Sequence, residues 1–516
     1  MLSGLLIALF VPWIVQFGSS IINGYFNGKV GCYTKKVQGS LQATSSFVTM
    51  ARNSYELKKI KRESDLVQDV INWLESETDQ IHGRKFVDAA FYFSLAGIED
   101  NSLFDLLANY TENELKRFGH RNSCQVVHIL QMVEKLAVAG VRNHSVFQTA
   151  KDIIVQKQSI STSKSNETYE LIKSYDNFNL FSDRALLWLW RFASKNVKKG
   201  LQMKTNQPVY SKEYFTSCTD FEDTQLPLII DIGCGYGVSL LAMAMNIKDG
   251  KYQRRVNFLG VDMNEKSITY ANGIAKRWAL DNFCKFVYSD ATSLIEYINK
   301  FYIGGVSLIL LNFPTPYAIS CITDDGDSTR KSVGNSQLPQ QFQDFILNKE
   351  LLSQLTELKV NKREKLDRAI FLAQSNNEDV ALTMRNLLLS TPHWRSTPTS
   401  ELQNAISDIL YCNLVEVSNL QHQDPANDDL HDANQRGATA YTTQPSDVVD
   451  LSDIMSKRQR IWLQHQGTSA LTRAYGDGWL SRNPLPYRVR SETEVVSEIM
   501  GKPIYRFALT YTTQVI

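Results

Sequence analysis

The sequence has no excess of either charge: 55 Lys and Arg stand against 54 Asp and Glu over 516 residues. A chain so balanced makes no overall field that would hold it on nucleic acid or an anionic membrane, so any such binding must come from local patches. Paired cysteines are also lacking. The seven present, at 32, 124, 218, 234, 284, 321 and 412, are scattered without a CxxC pair, which argues against a disulfide framework and against a zinc site. The apolar run LLIALFVPWIV, residues 5–15, is short for a membrane span. What is there is a globular composition, 43% hydrophobic and 21% charged, with a length that predicts about three folding units.

Residues 1–28 carry no charge beyond the terminal amine and read as a signal-like or anchor segment, whose apolar stretch ends near Gly18, Ser19 and Ser20. Residues 29–64 read as a basic, transit-like linker, with Lys29, Lys35, Lys36, Arg52, Lys58, Lys59, Lys61 and Arg62 among several Ser and Thr. Together they fit a bipartite address to a plastid bounded by extra membranes or to another organelle. A secretory signal, or a membrane anchor ahead of a basic linker, fits as well; either way the N-terminus would meet a membrane or translocon.

From 65 to 200, apolar residues recur at three and four, as in LVQDVINWL and CQVVHILQMVEKLAVAG, which predicts an all-α domain. Within it AGIEDNSLF (96–104) and AGVRNHSVF (139–147) match at Ala, Gly, Ser and Phe with a 43-residue offset, the spacing of a helix-hairpin repeat. Such a repeat could offer a surface to RNA, or be a plain bundle. KQSISTSKSNETYE, 157–170, is polar and reads as a loop.

The pattern changes at LPLIIDIGCGYGVSLLAMAMN, 226–246: a short apolar run, a glycine turn, then helical periodicity. Gly233, Gly235 and Gly237 let the chain turn sharply and bring backbone N–H groups to a ligand. The loop opens with Asp231 and differs from the dinucleotide fingerprint, favouring a ligand with a cationic amino-acid end. Three further strands end in Asp262, Asp290 and Asn312, with helix-like segments between them, so a parallel, doubly wound α/β sheet is expected, with its ligand at the carboxyl ends of the strands. Asp262 is placed to accept from ribose hydroxyls. A strand-end acid often only caps the next helix, but three beside one glycine turn point to a site.

With these residues in place, the chain resembles the class I S-adenosylmethionine-dependent methyltransferases, and among them the bacterial-type tRNA (guanine-N7)-methyltransferases. DIGCGYGVSLLAMAM is similar to that family's first motif, NFLGVDMN to its second strand, and NFPTPY (312–317) to its F-P-D-P-W loop. AIFLAQSNNEDVALTMRNLL (369–388) is similar to its fifth strand and next helix, and SETEVVSEIMGKPIYRFALTY (491–511) to its T-K-F-E element and closing strand. The resemblance implies a Rossmann-like methyltransferase core over 221–420, closed by a C-terminal part over 451–516. The polar, mostly acidic 421–450 is expected to be a disordered insertion, preceded by a sixth-strand candidate LVEVSNL. It further implies S-adenosyl-L-methionine as cofactor, held by Asp231, Gly233, Gly235, Gly237, Asp262, Met263, Asp290, Ala291 and Asn312. The tRNA base would meet Pro314, Tyr317, Ser375, Asn376, Glu378 and Ser491, with Thr315 and Glu494 as catalytic candidates; no metal is implied.

The chain departs from the family at Thr315, where the family has an acid, and at Tyr317, where it has Trp; the basic run that follows is reduced to STRKS, 328–332. Glu378 or Glu494 could supply the missing charge. For tRNA, Lys457, Arg458, Arg460, Arg473, Arg482, Arg488 and Arg490 lie near Trp462, Trp479 and Tyr487, the types that phosphate contacts and stacking need. The expected function is therefore methyl transfer to guanine N7 in tRNA. A non-catalytic RNA-binding subunit, or a methyltransferase for a small molecule or protein, stands as the alternative.

Overall fold

The structure, a computed structural model, describes residues 35–59, 61–77, 83–121, 124–142, 144–160, 179–200, 210–251, 256–314, 346–360, 369–411, 474, 476–486 and 489–512. Residues 1–28, Thr315, Tyr317, STRKS, LVEVSNL, the 421–450 insertion and the basic stretch from Lys457 to Arg473 lie outside them. Among the described residues no helix is long and apolar enough to cross a membrane.

The N-terminal unit is helical: α1 (Lys35–Lys58), α2 (Glu63–Glu77), α3 (Gly83–Leu95), α4 (Asn101–Phe118), α5 (Val126–Val138), α6 (Ser145–Ile160) and α7 (Asp183–Gly200). The linker expected over 29–64 is corrected by α1. Phe47, Ala51 and Ser54 recur at helical spacing and are fully buried, while Arg52 and Lys59 point outward. Of the basic residues that suggested a linker, Arg52 and Lys59 lie on the solvent side of this region, while Lys58 reaches inward to Gly97 O at 2.5 Å.

The repeated segments close α3 and α5 in the same way. The N–H of Gly97 donates to Ser94 O at 2.9 Å and that of Ile98 to Phe93 O at 3.1 Å; Gly140 and Val141 do the same to Ala137 (3.0 Å) and Leu136 (3.1 Å). Gly97 and Gly140 sit at φ 66° and 82°, the left-handed conformation this helix ending requires.

The second unit alternates strands and helices: α8 (Lys212–Cys218), β1 (Leu228–Ile232), α9 (Val238–Lys248), β2 (Asn257–Asp262), α10 (Glu265–Arg277), β3 (Cys284–Tyr288), α11 (Ala291–Phe301), β4 (Val306–Asn312), α12 (Lys349–Thr356), β5 (Ile370–Ser375), α13 (Glu378–Leu389), β6 (Trp394–Arg395), α14 (Thr399–Tyr411), α15 (Glu492–Ile499) and β7 (Tyr505–Tyr511). The sheet order is β3-β2-β1-β4-β5-β7-β6. β1 to β5 run parallel, and β7 enters antiparallel between β5 and β6. This is the doubly wound Rossmann-like methyltransferase sheet the sequence predicts, preceded by an all-α domain. Both faces are covered: Ile229, Leu308, Leu310 and Leu372 pack on one side, and Ile230, Ile309, Leu311 and Phe371 on the other. That is why the strands read as unbroken apolar runs.

The helical domain is docked on the sheet through α10. Arg277, at the end of α10, donates from Nη1 to Ile98 O (2.6 Å) and from Nη2 to Ala139 O (2.6 Å) and Ser94 Oγ (3.0 Å). Its guanidinium carbon lies 3.8 Å from the centre of the Phe104 ring. Trp278 Nε1 donates to Gly140 O (2.8 Å), and Tyr270 OH to Val138 O (2.6 Å). Close approach needs Gly273: a Cβ there would fall 2.7 Å from Gly97 Cα. The two repeat turns thus face inward and grip one helix of the sheet. The carbonyls of these turns are thereby occupied within the protein. On another side α7 packs on α15, with Leu187 against Val496, and Asp183 pairs with Arg490.

Candidate active site

Strand order reverses between β1 and β4, and the crevice at their carboxyl ends is where such sheets bind ligands. The glycine turn starts there. Its shape is pinned to β2 by hydrogen bonds from the N–H groups of Gly233 (2.8 Å) and Cys234 (3.1 Å) to Val261 O. Two glycines serve different ends. A Cβ on Gly237 would lie 2.3 Å from the Phe286 ring, so this glycine permits helix–strand packing, whereas a Cβ on Gly235, at φ 54°, would meet nothing within 4 Å and point into open space.

Carboxylates surround that space. Asp231, at the end of β1, is 2% exposed and receives a long hydrogen bond, 3.4 Å, from Asn312 Nδ2. Burial, with the Glu492 and Asp262 carboxylates beside it, holds Asp231 well above the usual carboxylate range. Asp262 accepts from the N–H groups of Gly235 (2.9 Å) and Asn264 (2.7 Å), one on each oxygen. Burial pushes it up against these stabilising bonds. The Met263 backbone N–H also bears on this carboxylate, which leaves a fourth acceptor position through which it can accept from a ribose. Asp290 is a helix cap: it accepts from the N–H (2.8 Å) and Oγ (2.7 Å) of Ser293, with Ala291 as the first residue of α11. Met263, 44% exposed, lies just past Asp262 on the rim.

From Asn312 a buried chain of side chains crosses the strand ends. Gln374 Nε2 donates to Asn312 Oδ1 (3.0 Å) and to Glu494 Oε2 (3.1 Å), and Arg506 donates from Nε to Gln374 Oε1 (2.9 Å) and from Nη2 to Glu494 Oε1 (2.7 Å). Asn483 Nδ2 adds bonds of 2.9 and 3.1 Å to the same carboxylate. Glu494 and Arg506 are 0% and 1% exposed. Glu494, expected as a catalytic residue, has both oxygens enclosed and engaged in these bonds, which hold α15 to the sheet. The sequence around it, S-E-T-E, has capping-box spacing, but only the serine half forms, with Ser491 Oγ accepting from Glu494 N–H at 3.2 Å while the Glu494 carboxylate is turned into the core.

In the fifth-strand loop Glu378 is buried and accepts from Ala474 N–H at 3.0 Å, and Ser375 Oγ accepts from Asn377 N–H at 3.1 Å. Asn376 is buried as well. Phe313 and Pro314 begin the proline loop; Phe313 stands at φ 51°, rare for a non-glycine residue, held there by its N–H bond to Gln374 O at 2.7 Å. Of the expected RNA contacts, Trp479 is buried against Phe507 and Arg490 pairs with Glu498 (2.7 Å) and Asp183, while Arg482 is exposed; Arg488 and Tyr487 lie outside the described residues.

Sequence reasoning missed Gln374, Arg506, Asn483, Phe313 and Glu492. Gln374 and Arg506 leave a trace: each is a polar residue inside an otherwise apolar strand run.

Residues 225–320 match a family model described as "Putative methyltransferase". A tRNA (guanine-N(7)-)-methyltransferase of Prochlorococcus marinus (strain MIT 9515) is 31% identical over 98 residues, 19% of this chain and 44% of that protein. One of Ureaplasma parvum serovar 3 is 30% identical over 97 residues, 19% of this chain and 39% of its own length. The chain thus spans less than half the length of the curated relatives it matches. Among solved structures, a SAM dependent methyltransferase from Aquifex aeolicus is 10% identical with a TM-score of 0.20, covering 35% of this chain and 88% of that one. The resemblance read from the motifs is borne out over the segment from β1 to the proline loop, and the groups at its glycine turn suit S-adenosylmethionine: open space over Gly235, where a Cβ would meet nothing within 4 Å, and the Asp262 carboxylate bonded to its N–H.

Proposed function

We propose that this chain, whose residues 225–320 match a putative-methyltransferase family model and which is 31% identical over 98 residues to a tRNA (guanine-N(7)-)-methyltransferase, transfers a methyl group from S-adenosylmethionine to N7 of a guanine in tRNA. One contact carries the proposal. Asn312, which opens the N-F-P loop, is hydrogen-bonded to Asp231 of the glycine turn, so donor site and proline loop share a single crevice.

S-adenosylmethionine supplies an electrophilic methyl group on a sulfonium. Guanine N7 carries a lone pair and no proton, so its methylation needs no general base and depends chiefly on holding the reactants in line. This chain's own residues serve that holding. Asp231 and Asp262 face the cationic and ribose ends of the donor, and Gly235 leaves room for it. The left-handed Phe313 and the buried Pro314 fix the direction in which the next residues leave β4.

Thr315 brings no carboxylate to orient the base or to offset the charge that appears on the methylated ring. The loss of one charge-assisted contact costs on the order of 1.5–3 kcal/mol, which slows the reaction without forbidding it. Glu378 and Glu494 are enclosed and do not replace it. That observation favours, as a second reading, a non-catalytic tRNA-binding subunit that keeps the fold.

Methyl transfer to unmodified tRNA, mapped by strand cleavage at 7-methylguanine, separates the two. Cleavage at a defined guanine supports the enzyme. Binding of tRNA and donor without cleavage supports the subunit, and turnover on other acceptors alone overturns both. We also propose an organellar destination reached through the N-terminal residues. Fractionation of cells expressing the tagged full chain tests it: recovery with an organelle supports the address, and recovery elsewhere alone overturns it.

A further inference from the structure

Asn312, Gln374 and Arg506 stand side by side on three neighbouring strands: Asn312 of β4 is in register with Gln374 of β5, and Gln374 with Arg506 of β7. Paired residues on adjacent strands point their side chains to the same face, so the three form a row that ends at the crevice between β1 and β4. The row has a fixed hydrogen-bond direction. A guanidinium only donates, so Gln374 must turn its oxygen to Arg506 Nε, at 2.9 Å. Its amide nitrogen then faces the other way and donates to Glu494 Oε2 (3.1 Å) and to Asn312 Oδ1 (3.0 Å). With its oxygen engaged toward β5, Asn312 directs its nitrogen toward β1, where Asp231 accepts at 3.4 Å. Flipping either amide would set donor against donor beside Arg506 and Glu494, which are 1% and 0% exposed, and leave buried groups unmatched. An amide nitrogen carries two hydrogens. Asp231 is the acceptor that the described residues give this one, and Asn312 is half-buried, so its second N–H is left for a ligand in the crevice.

We propose that the Arg506–Glu494 ion pair, acting through Gln374, positions Asn312 to present an N–H to the base, which selects the N7 edge of guanine over that of adenine. The inference rests on the function proposed above and names the residue that reads the base edge. Guanine shows two acceptors on this edge, N7 and O6, whereas adenine sets an amino donor at N6 beside its N7 acceptor. Both bases have the N7 lone pair that takes the methyl group, so that lone pair does not tell them apart. An N–H beside the reacting nitrogen meets O6 of guanine as a hydrogen bond and the amino group of adenine as a second donor. Asn312 touches the base, while Gln374 acts through Asn312 and is a positioning residue. Gln374 also holds the backbone at the same point, because its carbonyl accepts the Phe313 N–H at 2.7 Å where the chain enters the proline loop.

The test gives the full chain two tRNA substrates, one with guanine at the methylated position and one with 2,6-diaminopurine there, which keeps N7 but carries an amino group in place of O6. Methyl transfer to N7 is measured as kcat/KM for each, and the ratio of the two within one protein does not move with lost stability. The natural protein prefers guanine by about tenfold to a hundredfold, the worth of a contact to a base edge. In Asn312→Ala the preference falls about tenfold, and it falls similarly in Gln374→Met, which keeps the side chain's length but frees the Asn312 amide to turn. Equal turnover of the two substrates by the natural protein overturns the inference without any variant. A preference unchanged in Gln374→Met, with turnover merely lower, makes that residue part of the frame and overturns its positioning role. If the natural protein methylates neither substrate, the proposed methyl transfer itself fails and the inference falls with it.

Discussion

Replacing Arg277 by Met tests whether the helical domain and the sheet are one cooperative body. The substitution keeps an unbranched, apolar stem beside Phe104 but removes the guanidinium that reaches both repeat turns. Ile98 O, Ala139 O and Ser94 Oγ lose their donor together. The position is almost closed to water, and burial pushes the Arg277 guanidinium down to about 10. Hydrogen bonds from a charged donor contribute about 1.5–3 kcal/mol each. Three of them do not add, because the same burial that strengthens the bonds exacts the cost of dehydrating the charge. A net loss of about 3–5 kcal/mol is expected, the range found when one partner of a buried charged contact is removed. Because the loss falls at the junction, the two units uncouple. Urea unfolding of the natural protein should give coincident curves by near-UV signal, which follows the aromatic residues of both units, and by far-UV signal, which follows the helices. In Arg277→Met the transitions should separate and the first should move to lower urea. Coincident, unshifted curves in the variant would refute the reasoning that this one side chain joins the units.

Two further outcomes follow from the site. Gly235→Val places a branched side chain in the open space over the glycine turn, at φ 54°. It should cost about 1–2 kcal/mol of stability from the left-handed backbone and abolish donor binding measured by calorimetry; retained affinity would mean the space is not the donor's. Glu494→Ala leaves the buried Arg506 without its carboxylate, with the hydrogen bond to Gln374 still in place. It should destabilise by about 3–5 kcal/mol in urea titration, with much of this recovered in Glu494→Ala/Arg506→Met, whereas a stable but inactive Glu494→Ala would restore a direct catalytic role.

How much of this was legible in advance differs residue by residue. The glycine turn, the strand-end acids and the order of strands and helices are local: each follows from periodicity and turn chemistry within about 20 residues, the scale of one strand–helix unit. Asp231, Asp262 and Gly235 came together as expected because consecutive strands of a parallel sheet end on the same side. Asp290 shows the limit of that logic, since the same placement at a strand end also suits a helix cap. The basic residues of α1 misled because composition does not say which side of a helix they occupy.

By itself, then, the sequence determined which segments become strands and helices, where the chain turns on glycine, and which end of the sheet carries the chemistry. These depend on interactions between near neighbours. Only the tertiary structure decided that Glu494 is sealed by Arg506 and that the two repeat turns close on Arg277. Each of these joins residues of separate segments, and in a close-packed interior one turn of a helix determines whether a carboxylate meets an arginine, a ligand or water.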